Sequence, residues 1–190
     1  MEFTWGVKAD HRACLAIAAA SPEHFHPDAL ARIWTDIGTG PVYVARAGDA
    51  VRAFAVVQRE RSQVAEILWV AVDRPLRQRG VGTELFRHLA AELHAAGTSL
   101  LVAKTLAPTS QDAAYVATRR FYERAGFLLV DTVDPYPGWK PGNPCAIYAK
   151  PLGVARDGRD AGGAPPGALA SGATTQQFQT RSVLVSPPTS

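Results

Sequence analysis

Cysteine is scarce: Cys14 and Cys145 are the two in 190 residues. That is too few for a disulfide framework or a thiolate zinc site, and a reducing compartment leaves both as thiols. Long apolar runs are missing as well. None approaches the roughly 20 residues of a membrane span, and Met1-Glu2-Phe3-Thr4 opens no basic-then-apolar leader, so the expectation is a cytoplasmic protein without membrane contact. Charge of one sign is also in short supply. Twenty Lys and Arg against 17 Asp and Glu give a formal charge of +3, which argues against the broad basic footprint of a nucleic-acid binder. Apolar residues are not lacking: 47% of the chain is hydrophobic, enough to bury one ordinary core in one domain.

Composition changes after Leu152. From 153 to 190, Gly, Ala, Pro, Ser and Thr supply 24 of 38 residues and Phe178 is the sole aromatic. Such a stretch is expected to be a flexible tail, with function confined to 1–152. The short Ser182-Val183-Leu184-Val185 run could pair as an edge strand or dock on a partner.

Within 1–152, the pattern predicts helices from 8 or 10 to 20 and from 27 to 34, the second opened by Pro27 and closed at Gly38. Runs at 42–47 and 51–58 flank the turn sequence Ala47-Gly48-Asp49-Ala50 and read as a hairpin. The run 64–72 is apolar except for Glu66, the pattern of a strand covered on both faces. Val81, Leu85, Leu89 and Leu93 recur every fourth residue and mark a helix ending near Gly97. A strand at 99–103, a helix at 112–125 closed by Gly126, and strands at 127–133 and 146–150 complete the series. The alternation predicts an α/β (α+β) class: one mixed sheet, antiparallel at its ends, with a central parallel pair joined by a helical crossover.

Between the third strand and its helix lies Arg77-Gln78-Arg79-Gly80-Val81-Gly82-Thr83. Two glycines permit a tight turn and close approach to a ligand, and the following helix aims free N–H groups and its positive dipole end at the same point. Arg77 and Arg79 add charge at the rim, and with Arg74 they suit a small anion carrying several phosphates. Taken alone, the pattern equally describes a plain strand-to-helix turn. It lacks the Gly-Lys-Ser/Thr of a P-loop. A dinucleotide fingerprint needs a small residue where Leu85 stands and an acidic one where Lys104 stands.

The combination of Val72 ending an apolar strand, Arg77-x-x-Gly80-x-Gly82, and then Phe121-Tyr122-Glu123-Arg124-Ala125-Gly126-Phe127 about 40 residues on resembles the GNAT superfamily of N-acetyltransferases over about residues 2–152. The resemblance implies a GNAT-like sheet flanked by about four helices and acetyl-CoA as cosubstrate. The pyrophosphate would be held by main-chain amides of Gln78, Arg79, Gly80, Val81, Gly82 and Thr83, and the pantetheine arm would lie against the backbone of Val70 and Val72. It further implies direct acetyl transfer to a primary amine, with Glu66 as general base and Tyr122 as the acid that protonates the departing thiolate.

Residue chemistry agrees with those roles. A primary amine near pKa 10 is free base in about one molecule per thousand at pH 7, so a base is useful, and desolvation raises a buried carboxylate toward the range where it accepts a proton. Glu66 could instead start a strand in water or pair with an arginine, and Tyr122 could be a core-edge tyrosine. On a helix, Tyr115, Thr118 and Tyr122 share one face, expected to line a cleft, while Ala117, Phe121 and Ala125 face the core. Tyr115 and Thr118 stand where many superfamily members have Asn and Ala. Arg119 and Arg120 could reach CoA phosphates, though solvated helix positions are the expectation. The Pro-rich segment 134–144, with Tyr136 and Trp139, and the segment 21–27 are expected to flank the acceptor site, the former equally readable as a rigid connector. His24 and His26 lack a third ligand, and no metal is expected. The alternative is a non-catalytic acyl-CoA-binding module. The identity of the acceptor amine and the oligomeric state are not legible in the sequence.

Overall fold

The computed structural model describes residues 1–109 and 113–153. Within them seven strands form one sheet in the order β1-β2-β3-β4-β5-β7-β6: β1 (Glu2–Trp5), β2 (Val42–Ala47), β3 (Ala50–Arg61), β4 (Val64–Val72), β5 (Leu100–Leu106), β6 (Leu128–Val133) and β7 (Cys145–Pro151). Among the described residues four α-helices accompany them: α1 (His11–Ala19), α2 (Pro27–Thr39), α3 (Val81–Ala95) and α4 (Ala113–Arg124). All neighbouring strands run antiparallel except β4 and β5. No helix among the described residues is long and apolar enough to cross a membrane.

Two apolar layers cover the sheet. On one face α3 and α4 bury Leu85, Phe86, Leu89, Leu93, Tyr122 and Phe127 against Ala65, Ile67, Leu101 and Tyr148. On the other, α1 and α2 pack Cys14, Ile17, Ile33 and Ile37 against Val44, Phe54, Val56 and Trp69. A smaller cluster of Leu106, Tyr115, Tyr136, Trp139 and Cys145 sits beyond β5.

Differences from the expected elements have local causes. β1 was beyond reach because four residues carry too little periodicity; it pairs with β2 from Glu2↔Arg46 to Trp5↔Tyr43. Helix α2 continues past Trp34 because Ile33 and Ile37 extend its buried stripe, and it stops at Gly40, whose N–H bonds the Asp36 carbonyl. In α4, Ala117 is exposed rather than core-facing, and Tyr115 and Tyr122 are buried rather than lining an open polar face.

Strand β4 sets the geometry. Its pairing with β3 passes from Val57↔Ile67 to Val56↔Trp69, so Leu68 is an extra residue, a bulge that resets the side-chain alternation. Its parallel pairing with β5 runs from Val64↔Leu100 to Ile67↔Ala103 and goes no further. Beyond that point the two strands part. The Asp73 N–H bonds the Arg52 carbonyl on β3. By alternation, Val70 and Val72 therefore turn their main-chain groups the other way, into the gap.

At the end of β4, Gln78 (φ 61°) and Gly80 (φ 80°) take left-handed conformations that lead into α3. Gly80 needs its missing Cβ for backbone conformation, whereas Gly82 needs it for packing: a Cβ at 82 would lie 2.9 Å from Phe121 Cε2 and 3.3 Å from Val72 Cγ2. Gly82→Ala is therefore expected to lower stability by about 1–3 kcal/mol through overpacking, read by urea unfolding. The same change in a Phe121→Ala background is expected to cost little.

Candidate active site

The gap between β4 and β5 collects most of the residues expected to act. At its mouth, α3 starts with Gly80 as N-cap, a residue with no side chain to offer the first-turn N–H groups of Val81, Gly82 and Thr83. Beside this turn is a cavity of about 420 Å³ lined by Met1, Phe3, Arg79, Gly80, Val81, Thr83 and Glu84. An open helix N-terminus, a glycine turn and the exposed Arg79 are a donor set suited to phosphate oxygens.

Arg77 is placed differently from expectation. Its guanidinium turns away from the turn and donates to the Val72 carbonyl (3.2 Å), to Glu23 Oε1 (2.9 Å) and to Ser21 Oγ. Arg74 donates to the other Glu23 oxygen at 2.7 Å. These two arginines tie the 21–26 segment to the end of β4, so of the first cluster Arg79 alone is left at the rim. Arg119 is likewise not solvated: it is 7% exposed, and its Nη1 donates to the Leu106 and Ala107 carbonyls at 3.0 and 3.1 Å, capping the end of β5. Arg120 is exposed, as expected.

Inside the gap, Glu66 is 3% exposed. Ala65 and Ile67 point into the α3/α4 layer, so Glu66 points to the opposite face. There its Oε2 accepts a hydrogen bond from Lys104 Nζ at 2.7 Å. The sequence suggested an arginine or water as the bland partner; the partner is a lysine. Burial pushes the Glu66 carboxyl above its ordinary range, the Lys104 ammonium opposes that, and Glu60 adds to it. Burial pulls the Lys104 ammonium down, but Glu66, with a smaller contribution from Tyr136, more than reverses this. The Lys104 Nζ also lies 5.4 Å from the centre of the Tyr136 ring.

Tyr122 approaches from the other layer, packed among Phe86, Phe127 and Tyr148. Burial pushes its hydroxyl well above the usual phenol value and the Glu66 charge pushes it further, so the group stays protonated. The nearby Cys145 thiol is raised to about 12 by burial, with Lys104 opposing and Glu66 adding. It is a thiol at neutral pH, not an acyl-carrying nucleophile.

Both loops expected to flank an acceptor converge here. His24 meets Tyr115 edge-on at 6.2 Å, and Tyr115 shares its cluster with Tyr136 and Trp139, whose rings contact each other at 5.7 Å. The Trp139 Nε1 is buried without an acceptor among the described residues. A second hollow, about 430 Å³, is lined by Asp36, Thr39, Gly40, Pro41, Val57, Gln58, Arg59 and Leu68. Gln58 is the cross-strand partner of Glu66. Among the described residues no three His, Cys, Asp or Glu side chains gather to hold a metal.

Sequence reasoning missed Lys104, Ser21 and Glu23. The parallel crossover held a signal for the first, since Val102 pairs with Glu66 and Lys104 lies two residues on, on the same face. Nothing local announced the other two.

A mixed sheet whose parallel pair opens beside a glycine turn and helix N-terminus is the frame of an acyl-group transferase. The sequence profile of the Acetyltransferase (GNAT) family matches residues 11–127; the chain belongs to that family. No protein of curated function matches it in sequence. Solved structures share the fold. A putative GNAT-family acetyltransferase from Desulfovibrio desulfuricans is 20% identical with a TM-score of 0.68, covering 79% of this chain and 99% of its own. The ribosomal-protein-S18-alanine N-acetyltransferase from Escherichia coli is 22% identical with a TM-score of 0.60, covering 83% and 99%. An aminoglycoside 6'-N-acetyltransferase complexed with coenzyme A is 17% identical with a TM-score of 0.63, covering 83% and 100%.

The anchoring of the 21–26 segment has a pH signature. Burial pushes the Glu23 carboxyl up, but hydrogen bonds from Arg77 and Arg74 pull it down to about 2. A carboxyl depressed in the fold stabilises fully above its unfolded value and loses that contribution as pH falls toward 2. Glu23→Gln is expected to flatten the stability profile between about pH 4.5 and 2, by under about 1 kcal/mol because the pair is a third exposed. Chemical unfolding across that range measures it.

Proposed function

We propose that the protein is an acetyl-CoA-dependent N-acetyltransferase that passes acetyl directly to a primary amine of a small molecule or protein. The observation that carries this reading is a buried carboxylate, Glu66, one residue before the last β4–β5 pair, with a buried, protonated tyrosine, Tyr122, in the α3/α4 layer and near enough to feel its charge.

Acetyl-CoA supplies a thioester already activated toward amines. In this reading Gln78 to Thr83 hold its pyrophosphate through main-chain N–H groups, and Val70 offers main-chain groups to the pantetheine arm. Val72 offers its N–H, its carbonyl being engaged by Arg77. Glu66 takes the proton of the attacking amine, through water or directly. A main-chain N–H near Val70 stabilises negative charge on the carbonyl oxygen, and Tyr122 gives its proton to the departing thiolate. The two sides of the gap thus separate base from acid.

Four measurements test the reading. Calorimetry with acetyl-CoA should detect binding, and Gly80→Val, which forces a β-branched residue to φ 80°, should abolish it; heat that survives the substitution removes the turn from the site. Tyr122→Phe should lower kcat by roughly 10²- to 10⁴-fold with acetyl-CoA affinity unchanged. Glu66→Gln should move the rate optimum to higher pH. Thiol release should appear with at least one member of a panel of α-amines, lysyl peptides, polyamines, aminoglycosides and amino acids. Binding of acetyl-CoA without release across the panel would favour a non-catalytic acyl-CoA-binding module.

A further inference from the structure

Lys104 lies outside every motif of the sequence, yet it makes the closest charged contact in the gap, 2.7 Å from Glu66 Oε2. The two side chains are 8% and 4% exposed. Parallel pairing ends at Ile67↔Ala103, and Lys104 is the next residue on β5, so its side chain leaves the backbone where the strands part. Burying such a pair contributes little stability compared with an apolar pair of the same volume. What the pairing does provide is a fixed position and a fixed charge for one carboxylate.

The other groups acting on this carboxylate do not supply either. Glu60, on β3, carries like charge and disfavours ionisation. The Tyr122 hydroxyl from α4 and the Cys145 thiol from β7 are neutral at pH 7. Gln58, opposite on β3, is uncharged. Tyr136, from the segment between β6 and β7, acts on Lys104, through its ring and a side-chain hydrogen bond, rather than on Glu66. Lys104 is the cation of the set.

We infer that Lys104 is a positioning residue: it holds the Glu66 carboxylate in the gap and keeps it ionised in a pH range where a lone buried carboxylate would be protonated. Its catalytic meaning rests on the acyl-transfer reading above; the pairing does not. A base must be unprotonated to work, so the cation extends the working range of Glu66 to lower pH while reducing its basicity.

The test follows the side-chain carboxyl carbon of Glu66 by NMR in ¹³C-glutamate-labelled protein, with Glu66→Gln assigning the signal. Lys104→Met should raise the titration midpoint by about one pH unit or more, as expected for loss of an opposite charge within hydrogen-bond range, and Lys104→Arg should return it toward the parent value. Lys104→Gln, which keeps a donor but not the charge, should shift it in the same direction and replaces Lys104→Met if that variant does not fold. An unmoved midpoint in the folded variant overturns the assignment whether or not the protein turns over. With acetyl-CoA and a competent amine, the acid limb of kcat/KM should move by the same amount while KM for acetyl-CoA stays within about twofold. A shifted carboxyl with an unmoved limb upholds the pairing and removes Glu66 as base.

Discussion

The structure turns on a single interruption: β4 and β5 are hydrogen-bonded for four residue pairs and then separate. Interrupted pairing leaves main-chain donors and acceptors unmet, which is costly anywhere else in a sheet. Here the separation is enforced from both sides. The Leu68 bulge turns β4 while keeping it paired with β3, and β5 stays paired with β7 through Leu106. Arg119 then takes the carbonyls of Leu106 and Ala107, and Arg77 takes that of Val72. Arg77, which looks in sequence like an anion ligand, and Arg119, which looks solvated, instead satisfy backbone groups at the ends of two diverging strands.

Much of the architecture was legible because it rests on periodicity. The Val81-Leu85-Leu89-Leu93 stripe became α3, and the apolar run with one glutamate became β4 with that glutamate buried. The parallel pair followed from the helical crossover between them. Positions decided by packing partners far along the chain were not legible. The bulge at Leu68 leaves no compositional mark. Arg119 appears solvated by adjacency to Arg120, and it is buried because the end of β5 needs donors there.

The site was readable to the same depth. Glu66, Tyr122 and the glycine turn were singled out by chemistry and motif; the fold buries Glu66 beside the end of the β4–β5 pairing, sets the turn at the end of β4, and packs Tyr122 in the layer on the other face, near enough to feel the Glu66 charge. The partner of Glu66 was not found, because a pair 38 residues apart depends on register, which a single sequence fixes only once the strand neighbours are known. The glycines show a related limit. Gly80 and Gly82 look alike in the motif, but one serves a left-handed backbone and the other the contact of α3 with Phe121 on α4. A left-handed turn and a helix-to-helix seam are encoded in the same few residues.

Glu66 and Lys104 neutralise one another at the floor of the gap. A charged molecule of either sign drifting toward the gap therefore meets little net field from that pair, and any long-range steering has to come from charges elsewhere on the surface.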